Sequence, residues 1–130
     1  MPVFTLVSDV ERVIENLRTQ YGDFRLVMLY NSDTLESDLG WNLIASAPWT
    51  DRMGIGGATR VIARALNQGL GLENQRVISR ITVLKTDDPF VRDMTEFHPL
   101  TPGNRERITQ VSAGQITEGS GFLLYSQLVA

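Results

Sequence analysis

The stretch FRLVMLYN, residues 24–31, sets the architecture. It is a nearly continuous apolar run of strand length, the pattern of a strand covered on both faces. A chain built around it must place layers on either side of a sheet, with this strand at the centre.

The flanking sequence supplies those layers. Ser8 and Glu11 have capping-box spacing, and Val10, Val13, Ile14, Leu17 and Tyr21 recur at helical intervals until Gly22, which predicts a helix over 9–21. WNLIASA, 41–47, reads as a second strand stopped by Pro48 and joined to the first as a hairpin through the polar loop 31–40. Ile55, Ala58, Ile62, Ala65, Leu66 and Leu70 trace one face of a helix over 56–69 that leaves Arg60 and Arg64 on its other side. RVISRITVL, 76–84, is rich in β-branched residues and reads as a third strand.

Asp88 before Pro89 is a helix cap followed by a first-turn proline, and Phe90, Met94 and Phe97 give one or two turns of helix a short apolar edge. RITQVSAGQI and FLLYSQLV flank TEGSG, a glycine-containing loop that suits a C-terminal β-hairpin. The last strand could serve as an apolar edge for self-association. With 130 residues, the expectation is a single α+β domain over 1–130. It has a mixed sheet of about five strands, two main helices, a central strand–helix–strand unit and the terminal hairpin.

Composition narrows the function classes. A formal charge of −3 provides no general field for nucleic acid or an anionic membrane, so neither is an expected partner. The absence of cysteine removes disulfides, thiolate nucleophiles and Cys-ligated zinc. MPVFTLVSDVERVIENL lacks the basic start and long apolar run of a signal peptide, so a cytoplasmic location is expected.

Two clusters carry candidate chemistry. DRMGIGGATRVIARAL, 51–66, places Gly54, Gly56 and Gly57 just ahead of a helix, whose N-terminal N–H groups favour anions. Arg52 and Arg60 could hold a nucleotide or other phosphorylated small molecule there. Thr59 stands where a dinucleotide fingerprint needs its third glycine, and no G-K-[ST] ending makes a P-loop. The competing explanation is that the glycines permit unusual backbone angles or close packing.

The second cluster is acidic. If strands 41–47 and 76–84 are parallel neighbours, Asp51, Asp87 and Asp88 reach one edge of the sheet and could hold Mg²⁺, although Asp51 and Asp88 also suit helix capping. NSDTLESDLGWN is not an EF-hand loop, since Leu35 and Trp41 replace ligands and Asn42 replaces the final Glu. His98, the only histidine, has no Ser/His/Asp spacing around it. Trp41, Trp49, Tyr30 and Tyr125 fit core or interface packing better than a base-stacking surface without a basic stripe.

In order alone, YNSDTLESDLGWNLIASAPW followed by VLKTDDPF resembles the metal-site outline of nucleotidyltransferase-like domains. Trp41 and Asn42 stand where that family places carboxylates, and its glycine-serine start is absent. The resemblance therefore implies a divergent, degenerate relative. Without a coherent nucleophile, base and oxyanion set, the leading expectation is a noncatalytic binding or oligomerisation module needing no cofactor. The alternative is a nucleotide or phosphate-ligand domain, a metal-dependent phosphotransfer enzyme at its furthest extension.

Overall fold

The computed structural model describes residues 3–31, 40–70, 78–100, 106–109 and 120–127. The fold is α+β with a mixed sheet. Helix α1 (Val3–Tyr21) leads into strands β1 (Leu26–Asn31) and β2 (Trp41–Ser46). A short helix α2 (Pro48–Met53) and a longer α3 (Ile55–Gly69) follow, then β3 (Ile78–Val83), α4 (Pro89–Phe97), β4 (Glu106–Thr109) and β5 (Ser120–Ser126).

The strands lie in the order β3-β2-β1-β5-β4. All six residues of β1 are buried, and the strand occupies the middle of the sheet. It pairs antiparallel with both neighbours, Met28 opposite Ile44 on one side and Leu123 on the other. β2 and β3 are parallel, with Leu43 opposite Ile81, so α2 and α3 form the crossover between them.

Side chains alternate across the sheet and build two apolar layers. Val27, Leu29, Leu43 and Ala45 face Val10, Ile14 and Leu17 of α1 and Ala58, Ile62 and Leu66 of α3. Leu26, Met28, Ile44 and Leu123 face Phe90, Val91 and Met94 of α4. Each fully buried aliphatic or aromatic side chain contributes about 1.5–3 kcal/mol, so both layers are needed to hold so apolar a central strand.

Several sequence-based expectations are corrected. α1 begins at Val3, so Ser8 lies inside the helix instead of capping it; buried Leu6 and Val7 extend the apolar face toward the N-terminus. Pro48 does end β2, but it also opens α2, a helix with no counterpart in the sequence reading. Proline suits a first helical turn because it has no N–H to leave unpaired. Ser120 and Gly121, assigned to the terminal loop, belong to β5.

The C-terminal strand is not an edge. β5 lies between β1 and β4, so its backbone is committed on both sides and cannot supply the proposed self-association surface. The loop 32–39 and most of TEGSG lie outside the described residues.

Candidate functional site

The parallel pairing of β2 and β3 carries the glycine stretch to the carboxyl edge of these strands. Ala47 follows the strand as the N-cap of α2, and Thr50 Oγ1 accepts from its N–H at 3.0 Å and donates to its carbonyl at 2.8 Å. Gly54 then ends α2 and begins α3: its N–H donates to Thr50 O at 3.0 Å and its carbonyl accepts from Ala58 N at 2.9 Å. Its φ of 90° and ψ of 153° are accessible to glycine and strained for other residues.

The other two glycines differ. A Cβ at Gly56 would meet nothing within 4 Å, whereas one at Gly57 would meet the flexible Met53 Cγ at 3.1 Å. Arg52, Gly54, Gly56 and Arg60 are exposed and Gly57 half-buried, so the anion candidates share an accessible helix corner.

The acidic candidates share an edge without converging as a ligand set. Asp51 reaches from α2 to the turn after β3, accepting from Thr86 N at 3.2 Å and Thr86 Oγ1 at 2.5 Å. Asp88 caps α4 by accepting from Phe90 N at 2.9 Å, and Asp87 is exposed. Among the described residues, no three histidine, aspartate or glutamate side chains group closely enough to hold a metal ion. The Mg²⁺ expectation at Asp51, Asp87 and Asp88 therefore gains no geometric support.

His98 is exposed at the end of α4, where its N–H donates to Met94 O at 2.9 Å. Trp41, Trp49, Tyr30 and Tyr125 are buried. Trp49 stacks on Tyr21 with ring centres 4.8 Å apart, and Trp41 packs near Phe122 at 6.2 Å. They serve the interior and do not form an exposed stacking face.

Tertiary packing creates two further features. A groove of about 250 Å³ runs between α1 and α3, with Leu17, Val61 and Ala65 among its apolar lining and Gln20, Arg64 and Gln68 among its polar lining. A smaller notch of about 70 Å³ lies between α3 and the edge strand, lined by Leu66, Leu70, Ile78 and Ile81 among others. The arginine pattern on α3 pointed to Arg64, but only the helix pairing brings Gln20 opposite it. That β3 has no strand on its outer side among the described residues likewise has no local sequence signature.

Beside the groove, Glu15 accepts from Arg18 and, at 3.0 Å, from Tyr125 Oη. Arg18 also donates to Asp23 at 3.2 Å. The bond from Arg18 holds the Glu15 carboxyl below the usual range, opposed by slight burial and reinforced by Tyr125. Burial pushes the Tyr125 phenol up to about 12, helped by its bond to Glu15.

Among the described residues these features define an α+β scaffold with helices on both faces of a mixed sheet, an open groove and β3 as an end strand. No helix among the described residues is long and apolar enough to cross a membrane. Comparison with known proteins adds no closer assignment: no family model, curated protein or solved structure matches the chain.

Proposed function

We propose that this chain is a noncatalytic binding module that assembles with a second copy of itself through β3. The observation carrying this reading is the free side of that strand. Among the described residues β3 ends the sheet, Ser79 and Arg80 are exposed, and Ile78 and Ile81 are half-buried beside the apolar notch.

An edge strand presents unpaired N–H and C=O groups to any strand of compatible register. Proline, lysine and inward-pointing charge ordinarily discourage such pairing; ISRITV contains only Arg80 as a charged residue and no proline. Antiparallel pairing centred on Ile81 sets Arg80 opposite Thr82 of the second copy, so like charges do not face each other. It also brings the two Ile81 side chains together beside the notches.

The contact is isologous and closes as a two-fold dimer. Two six-residue strands alone fall short of the roughly 800 Å² buried per partner in a standard interface, so the adjoining face of α3 contributes and association is weak.

Sedimentation velocity over rising protein concentration tests this reading. The expected result is a reversible monomer–dimer equilibrium, with amide exchange over 78–83 slowing as dimer accumulates. Ser79→Lys alters an exposed residue, should change stability by no more than about 0.5 kcal/mol, and should keep the protein monomeric. A wild-type monomer at every concentration, or equal dimerisation of the variant, rejects the proposal.

A further inference from the structure

We infer that the groove between α1 and α3 binds a small organic monocarboxylate carrying a compact apolar body. This site is separate from the β3 edge. Its volume, about 250 Å³, lies just below the roughly 300–1,000 Å³ typical of small-molecule pockets, which limits the ligand to a small metabolite.

The lining divides by chemistry. Leu17 is buried, and Val61 and Ala65 are half-buried, so a lining that is on balance polar includes a narrow apolar strip that a short chain or ring can cover. Tyr21 forms one wall and is held by its stack on buried Trp49. Gln20 and Gln68 supply carboxamides that can both donate and accept.

Arg64 fixes the sign of the ligand. Among the described residues it is the single charged one lining the groove, is exposed, and has no hydrogen bond or ion pair. Of the neighbouring charges, Glu15, Arg18 and Asp23 are paired with one another, and Arg12, paired with Asp9, donates to the groove-lining Gly69 O at 2.9 Å. Counting the described residues, the groove is thus locally positive although the chain carries a net charge of −3.

A guanidinium matches a carboxylate with two parallel N–H···O bonds. One arginine can balance a monocarboxylate, whereas a doubly charged phosphate monoester would retain excess negative charge. The apolar strip of Val61 and Ala65 rewards a carbon body that acetate lacks. Together these features favour an aliphatic or phenylalkyl monocarboxylate.

The full chain can be titrated with acetate, hexanoate, 3-phenylpropionate, 3-phenylpropionamide and phenyl phosphate while side-chain amide resonances of Gln20 and Gln68 are followed by NMR. Hexanoate or 3-phenylpropionate should give saturable shifts at both glutamines. Acetate and the neutral amide should bind at least about tenfold more weakly, a difference near 1.4 kcal/mol.

Arg64→Gln should remove the preference for carboxylate over amide, and Arg64→Lys should restore part of it. No saturable shift with either larger carboxylate, an unchanged preference in Arg64→Gln, or tighter binding of phenyl phosphate overturns the inference. Because these residues lie outside β3, failure here leaves the dimer proposal intact, and the converse also holds.

Discussion

Glycine has different meanings at three positions that look alike in the sequence. At Gly121 a Cβ would lie 1.9 Å from Leu29 O, inside the β1–β5 ladder, where neither backbone can yield without losing pairing. Gly121→Ala should therefore destabilise the fold by about 3 kcal/mol or more. Gly54→Ala should cost about 1–3 kcal/mol because φ is 90°. Gly56→Ala has open space within a helix and should stabilise by roughly 0.4–1 kcal/mol. Urea unfolding midpoints at constant m-value measure all three; similar losses throughout would refute these assignments. The 54–57 cluster suggested a shared phosphate role, while TEGSG suggested a turn. Local spacing does not reveal that one glycine shapes a corner, another faces open space and a third admits a neighbouring strand.

At the scale of elements, legibility follows how locally each is determined. FRLVMLYN encodes its two-sided burial in its own residues, and Asp88-Pro89 makes the cap its order suggests. α1 is harder to delimit because an exposed serine inside a helix has the same spacing to glutamate as a capping serine. α2 is too short for periodicity and is also held from a distance, by Asp51 on Thr86. Asp51→Ala should cost about 1 kcal/mol, the usual net contribution of a hydrogen bond. Thr86→Val removes only the hydroxyl donor, leaving the backbone N–H. A double-mutant cycle should give a coupling of about 0.5–1 kcal/mol, equal in Mg²⁺ and in EDTA. Additive losses would remove this link from the stability of the fold, and a Mg²⁺-dependent coupling would revive the metal reading.

At the scale of the whole molecule, one network joins the first helix to the last strand: Tyr125 Oη donates to Glu15 across 110 positions of sequence. Neither residue advertises the other, so this closure became legible only after the sheet placed β5 beside β1. It gives stability a pH dependence at both ends. Glu15 titrates lower when folded than its ordinary value of 4.5, so its contribution is present above that value and is lost as pH falls through the lowered one. Tyr125 titrates higher, at about 12 against 10.0, so its contribution is full below pH 10 and is lost as pH rises through 12. Tyr125→Phe retains the ring but removes the titrating hydroxyl and its bond to Glu15. In urea unfolding followed against pH, the variant should lose less stability than wild type between pH 10 and 12 and show a smaller decline in acid. An unchanged alkaline decline would assign that loss to other groups, and an unchanged acid decline would leave Arg18 as the partner that matters for Glu15.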